Sequence, residues 1–483
     1  MKRAVALLAL LTTACATMEP KYSRPDPSIP SSWPIGDPYL VQAEVGLPVL
    51  TYKQVFQDSR LQTLIGEALA NNRNLMTAAA DIAAAREQYN IQRAQLLPIV
   101  NANAGATATG NGKGDVGASY NAGISVPSYE LDLFGRIRSL THAQLEHFLG
   151  TEAGARATRL TLVSDVANAW LQYAADESLR AIAEQTATAA QKSVDITRLR
   201  LNGGIAPRTD LEQAIQTLST AQADLARQRT QVAQDLNALQ LLVGIPIAPA
   251  LLSNSIDDAF GKIVPVPAGL DSYVLLRRPD VVQAEYNLRS ANAQIGAARA
   301  ALFPKITLTG LLGFASSALV KLFTGGAFGW SAGADATYTI FQGGAGHANV
   351  RLSEAQRNAA VATYQETIQT AFREVSDALA RRGTINDEIS ARARQQAATA
   401  DTFKLTQDRY VAGIDPYLNV LSAEQSYYTA QQAAVAIKLT AAQNLVTTYQ
   451  VIGGDVLLSQ TPVCQTLPGD QTTTATSPLC TVG

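Results

Sequence analysis

Histidine, methionine and cysteine are scarce, at three residues each in a chain of 483. His142, His147 and His347 do not fall at metal-ligand spacing. The methionines, of which Met1 is one, offer no thioether path for copper. No bound metal is therefore expected. A basic surplus is missing too: 38 Lys and Arg stand against 40 Asp and Glu, for a net charge of −2. That removes the electrostatic basis for binding nucleic acid. Charged residues make up 16% and aromatics 6%. The Ala-, Gln- and Thr-rich remainder is neither that of a disordered chain nor that of a dense globular core. There is no phosphate loop, since Gly343-Gly344-Ala345-Gly346 is not followed by Gly-Lys-Ser/Thr. Glu130 and Asp132 stand two apart on one strand face with no cleft indicated, which favours structure over acid–base work. Without a nucleophile, metal site or cofactor motif, neither an enzyme nor a cofactor is expected.

What is present begins with a targeting segment at residues 1–14. Lys2-Arg3 is its positive region and Ala4 to Leu11 its apolar one, too short to cross a membrane as a helix. The step Thr12-Thr13-Ala14-Cys15 resembles a bacterial lipoprotein processing site, with Leu11 one place earlier than such signals usually carry Leu. Cys15 would then be the lipidated, palmitate-bearing first residue of the mature chain. Ala16 after it resembles lipoproteins sent to the outer membrane. The alternative is an ordinary signal peptide with an incidental cysteine. Cys464 and Cys480 lie in a tail rich in Thr, Gly and Pro, at 461–483. In an exported protein a structural disulfide between them is expected, because no His or carboxylate cluster stands beside them to make a metal site.

The body between is written twice, about 206 to 209 residues apart. Leu96-Leu97-Pro98 returns as Leu302-Phe303-Pro304, Phe134-Gly135 as Phe341-Gln342-Gly343-Gly344, and the turn Gly203-Gly204-Ile205-Ala206-Pro207 as Ala412-Gly413-Ile414-Asp415-Pro416. One copy cannot close a compact core, so the reading is an extended shell built from repeats. An extended, proline-rich segment at 15–50 precedes a first repeat at 51–255 and a second at 256–460. Strands are predicted at about 99–110, 117–133, 305–315 and 328–342. In the second copy Ile306, Leu308, Gly310, Leu312 and Phe314 alternate with Thr307, Thr309, Leu311 and Gly313. Trp330, Ala332, Ala334, Ala336, Tyr338 and Ile340 alternate with Ser331, Gly333, Asp335, Thr337 and Thr339. Period two at this length suits tilted strands crossing a membrane, with lipid on the apolar face and a wet lumen on the other. Four strands close no barrel and leave edges that lipid cannot satisfy, so several chains must complete it.

Helix is predicted from Phe56 to Leu75, from about Met76 to Leu97, and in two rods at 136–201 and 343–411. Each rod is roughly 100 Å long at 1.5 Å per residue, and return helices follow at about 208–243 and 416–451. Val163, Val166 and Trp170 make a narrow seam that Phe372, Val375 and Leu379 repeat. Long rods with membrane-length strands suggest a tube; a helical scaffold would leave the strands unexplained.

Several long motifs occur in order: Cys15-x4-Pro20-x-Tyr22-x-Arg24-Pro25; Phe56-x-Asp58-x2-Leu61-x2-Leu64-Ile65-x2-Ala68-Leu69-x-Asn71-Asn72; Glu130-Leu-Asp-Leu-Phe-Gly135-Arg136; Arg277-Arg278-Pro279-Asp280-Val281; and Asn419-Val-Leu-Ser-Ala-Glu-Gln425. Together they resemble the outer membrane efflux proteins, the outer channels of tripartite export pumps, over nearly all of the mature chain. The resemblance implies an α+β membrane protein. Three chains, each giving four strands, would form a 12-strand outer membrane β-barrel continued by a periplasmic α-helical barrel. It also implies a periplasmic adaptor and an inner membrane pump as partners, with export of small molecules as the function. The alternatives are a channel for type I protein secretion and a non-conducting, lipid-anchored periplasmic scaffold. By position, Tyr410 and Asp415 match gate residues of the family, and Asp210 matches an acidic partner for which Arg208 would be the counter-charge. Asn419 and Ser422 stand where relatives often have pore-narrowing aspartates, so a less acidic constriction is expected. Gly203, Gly204 and Gly413 mark the tip turns.

Overall fold

The structure, a computed structural model, describes residues 17–39, 51–110, 116–267 and 271–454. The targeting segment, Cys15, Cys464 and Cys480 lie outside the described residues. The helices are α1 (Tyr52–Val55), α2 (Ser59–Asn71), α3 (Arg73–Ala94), α4 (Arg136–Asn202), α5 (Arg208–Val243), α6 (Ile256–Phe260), α7 (Pro279–Ala300), α8 (Ala345–Val411) and α9 (Tyr417–Val451). The strands are β1 (Asn101–Gly110), β2 (Val116–Leu131), β3 (Lys305–Ser316) and β4 (Phe328–Thr337). The copies are visible in the helices: α4 and α8 each have 67 residues and start at 136 and 345, and α5 and α9 start at 208 and 417. No helix among the described residues is long and apolar enough to cross a membrane.

The trace divides into two compact units, one of 17–27, 80–153 and 282–367, the other of 28–79, 154–281 and 368–454 apart from the undescribed stretches. The first unit holds an antiparallel meander in the order β1-β2-β3-β4. Its register sorts the side chains by face. Ile306, Leu308, Gly310 and Leu312 stand opposite Ala336, Ala334, Ala332 and Trp330, while Lys305, Thr307, Thr309 and Leu311 stand opposite Thr337, Asp335, Gly333 and Ser331. β1 continues both rows. Ala102, Ala104, Ala106 and Ala108 oppose Ile124, Ala122, Tyr120 and Ala118, and Asn101, Thr107 and Thr109 oppose Ser125, Ser119 and Gly117. In β2 the apolar phase changes from Ile124 and Val126 to Tyr129 and Leu131. A bulge between Val126 and Tyr129 absorbs the change. Pro127 sits in that bulge, where its missing N–H costs no ladder bond.

β4 ends at Thr337, not at 342. Thr337 pairs with Lys305, the first residue of β3. The residue before it, Pro304, has no N–H to extend the ladder, so Tyr338, Thr339 and Ile340 keep the alternation without a partner. At the other end of the sheet Leu131 leads into the joint that starts α4. There Asp132 accepts from the Ile137 and Arg138 amides at 3.1 and 2.8 Å and satisfies the first turn of the rod. Glu130 is held by Arg136 at 2.8 and 2.7 Å and by Lys305 at 3.1 Å. The carboxylate pair is thus structural.

Residues 17–27 lie along α4 and α7. Buried Glu285 accepts from Arg24 at 3.1 and 2.6 Å, from Tyr22 at 3.2 Å and from Arg289 at 2.7 Å. Asn292 donates to the Pro20 carbonyl at 2.8 Å. The spacing Pro-x-Tyr-x-Arg is the imprint of this clamp.

In the second unit the predicted helix from Phe56 to Leu75 is broken. Phe56 bridges Ile263, and the Gln57 amide donates to the Lys262 carbonyl at 2.9 Å, so the chain is extended there. Asp58 then caps α2 through the Arg60 amide at 2.9 Å. The seam residues Val163, Val166, Trp170 and Val375 are fully buried and Leu379 is 3% exposed. Burying each large apolar side chain contributes about 1.5–3 kcal/mol. The Trp170 indole N–H reaches the Leu251 carbonyl at 3.0 Å. Arg278, 9% exposed, is compensated by Asp280 at 2.7 Å, Glu374 at 2.9 Å and the Val451 carbonyl at 2.8 Å.

Candidate gate at the helical turns

Both rods end in the same hydrogen-bond pattern. After α4, Gly204 N–H donates to Leu201 at 2.9 Å and Ile205 N–H to Arg200 at 2.9 Å. After α8, Gly413 donates to Tyr410 at 3.0 Å and Ile414 to Arg409 at 2.9 Å. The left-handed residue is Gly204 (φ 73°) in one copy and Gly413 (φ 77°) in the other. Glycine accepts that conformation without the Cβ penalty. Gly203 has no such need, and Ala412 occupies its place in the second copy. Pro207 and Pro416 then set the extended residue before α5 and α9. Ile205 and Ile414 are left 69% and 62% exposed, an apolar point on each turn.

Behind the turns Val194, Ala214, Tyr410, Tyr417 and Val420 form a buried cluster. Tyr410 is 5% exposed. Its hydroxyl lies 3.4 Å from that of Thr197, and its ring centre lies 5.4 Å from the Tyr417 ring centre. Burial pushes the Tyr417 hydroxyl up to about 12. The Arg200 guanidinium lies 4.5 Å over the Tyr410 ring and donates to the Tyr410 carbonyl at 2.8 Å and to that of Val411 at 3.3 Å. Arg200 thereby ties the end of α4 to the end of α8. It was not among the residues predicted from sequence.

The copies explain why Arg200 is available. Its counterpart Arg409 grips Asp415 at 2.7 and 3.1 Å, which holds the Asp415 carboxyl below its ordinary range. The position matching Asp415 in the first copy is Ala206, so Arg200 has no carboxylate in its own turn and crosses to Tyr410. Asp210 and Arg208 do not pair as expected. Arg208 bonds Glu212 one turn on, at 3.1 Å, where the helical spacing places a carboxylate on the same face. Asp210 sits in the first turn of α5 and acts electrostatically on Tyr417. Asn419 and Ser422 are exposed, uncharged residues on the first turns of α9. The structure therefore brings Tyr410, Tyr417, Thr197 and Arg200 together and leaves Arg208, Asn419 and Ser422 at the surface. Among the described residues no group of three His, Cys, Asp or Glu is placed to hold a metal ion.

The model of the family described as outer membrane efflux protein matches residues 64–245 and again 271–454. The chain is 38% identical over 459 residues to the probable efflux pump outer membrane protein TtgC of Pseudomonas putida, covering 93% of this chain and 94% of that one. The crystal structure of a membrane protein from Pseudomonas aeruginosa is 37% identical with a TM-score of 0.84, covering 91% of this chain and 98% of the other. The open state of the Neisseria gonorrhoeae MtrE outer membrane channel is 34% identical with a TM-score of 0.83 and the same coverage. The α+β fold, with four strands per chain and long helices, is that of the trimeric outer membrane efflux channels. The chain belongs to the outer membrane efflux protein family and is an export channel of the bacterial outer membrane with a large periplasmic part, a duct and not an enzyme.

Proposed function

We propose that three copies of this chain close one 12-strand barrel and serve as the passive outer duct of a tripartite pump for small molecules. The observation that carries this reading is the sheet. Its register makes one apolar and one polar face across four strands, and β1 and β4 are its edges. In lipid, each edge would leave a row of backbone donors and acceptors unpaired, at several kcal/mol per group. Pairing β1 of one copy with β4 of the next removes both edges at once.

In this reading each chain is two copies of one unit, at 51–255 and 256–460, and lipid on Cys15 anchors it in the outer membrane. The exposed Ile205 and Ile414 turns are the docking points for a periplasmic adaptor that links the duct to an energised inner membrane pump. Tyr410, Arg200, Asp210 and the Arg409–Asp415 pair hold the tip closed. Asn419 and Ser422 leave its narrowest part uncharged. Mass determination of the mature protein in detergent, with single-channel recording in planar bilayers, tests the core of the proposal. A trimer with discrete conducting steps supports it. A folded monomer without conductance refutes it in favour of a lipid-anchored scaffold.

A further inference from the structure

One buried acid has no role in the fold or the gate. Glu424 lies on the inward stripe of α9, between Val420 and Ala430, and is 5% exposed. Both its carboxylate oxygens are buried, and no donor among the described residues reaches either of them. It lines a cavity of about 560 Å³ between α4, α5 and α9. The other walls mix polar residues, among them Thr186 from α4, Thr220 from α5 and Tyr428 from α9, with apolar Ala221 and Leu421. The charged groups facing the cavity besides Glu424 are Asp224 and Arg227 of α5, which neutralise each other at 2.9 Å. Tyr417, on the same helix, feels Glu424 but stays neutral because burial pushes it up to about 12.

A buried carboxyl with no donor is costly, and native structures rarely leave one so. The missing element is a donor, and Glu424 stands in the wall of a cavity from which one could approach. We infer that this cavity is a binding site for a primary ammonium group on an aliphatic chain, with Glu424 as its anchor. An ammonium brings three donors and no acceptor. One would meet Glu424, and the others would meet the Tyr428 hydroxyl and the threonine or amide oxygens around it. A divalent cation fits less well, since it asks for several carboxylate oxygens and Asp224 is already engaged. An anion would face an unopposed carboxylate.

Binding carries a proton signature. Burial pushes the empty Glu424 carboxyl up to about 7. On binding, the carboxylic acid gives its proton to solvent and the carboxylate so formed pairs with the ammonium, which keeps its three hydrogens. The empty site is therefore mostly neutral at pH 6 and mostly charged at pH 8, and affinity rises about tenfold between the two.

The test is calorimetric titration of the full mature protein in detergent with 1,4-diaminobutane, and separately with Nα-acetyl-lysine amide. Titrations at pH 6 and 8 use buffers of different ionisation enthalpy. The expected result is saturable binding that tightens about tenfold from pH 6 to 8 and releases nearly one proton per site at pH 6. Binding of the diamine alone assigns a free amine as the ligand, and binding of the lysine derivative alone assigns a protein side chain. Glu424→Gln should remove the pH dependence and weaken binding at least about tenfold at pH 8. Absence of binding by both probes, or unchanged affinity in Glu424→Gln, overturns the inference. If that variant does not fold, the wild type decides: binding at pH 6 without proton release overturns it equally.

Discussion

Arg200→Ala removes a cation that ties the end of α4 to the end of α8. Two carbonyl contacts, at 2.8 and 3.3 Å, and a guanidinium 4.5 Å above the Tyr410 ring are lost together. A charge-assisted hydrogen bond contributes about 1.5–3 kcal/mol and a cation–π contact about 0.5–2 kcal/mol. Because Arg200 is only half-buried, water regains part of both, and about 2 kcal/mol per protomer is the working figure. If this contact is made only in the closed tip, its loss moves the closed-to-open ratio about 30-fold per protomer. The assay is single-channel recording in planar bilayers, comparing open probability with wild type and with Arg198→Ala. Arg198 is 53% exposed and approaches Asp195 only to 3.9 Å. The control should therefore change nothing, because such pairs contribute little. An Arg200→Ala channel that opens no more often than the control would refute the argument that this contact holds the tip shut.

Other outcomes follow from the same geometry. Gly204→Ala should cost about 1–2 kcal/mol in chemical denaturation, because a Cβ at φ 73° is strained even with no atom within 4 Å of it. Gly203→Ala should be neutral, as Ala412 already shows in the second copy. Asp58 predicts a limit at low pH. Burial favours its neutral form, but bonds from Arg60 and Lys262 outweigh that and hold its pKa at about 2, below the ordinary 3.8. Its stabilisation, roughly 2 kcal/mol, is complete above pH 3.8 and fades as pH falls through 2. Unfolding curves between pH 5 and pH 2 should therefore fall more steeply for wild type than for Asp58→Asn.

The rods and turns were legible in the sequence because the duplication states each twice. Gly204 and Gly413 stand at the same step of the same pattern, and the seam at Val163, Val166 and Trp170 is buried where its spacing placed it. The length of β4 was not legible. Tyr338 to Ile340 continue a perfect alternation, and what stops the strand is Pro304 on the neighbouring chain segment, a partner that periodicity does not contain. Likewise Phe56 to Asp58 carry helical spacing but are drawn out by Lys262 and Ile263 from far along the chain. At the candidate gate, neighbours in sequence misled. Arg208 and Asp210 are two apart on a helix and face different ways, whereas Arg208 and Glu212 are four apart and meet. Arg200 gave one signal, a difference between copies: its counterpart Arg409 has Asp415 at hand, and Ala206 occupies that place beside Arg200.

That difference can be put to the test by restoring it. Ala206→Asp gives the first turn the carboxylate that the second turn has. Arg200 then has two options, an ion pair within its own turn or its present seat on Tyr410. The Arg409–Asp415 pair shows that the turn geometry permits the first. Exposed pairs of this kind contribute about 0.2–1 kcal/mol, against about 2 kcal/mol for the contacts at Tyr410. The seat on Tyr410 therefore wins, and Ala206→Asp should leave open probability within about fivefold of wild type. Tyr410→Ala in the same background deletes the ring and its cation–π contact, so that only the backbone carbonyls of residues 410 and 411 still hold Arg200 against the carboxylate introduced at 206. The double variant should then open more often than Ala206→Asp alone. An Ala206→Asp channel as open as Arg200→Ala would mean that the ion pair within the turn outweighs the contact across the two rods, and would refute this ranking.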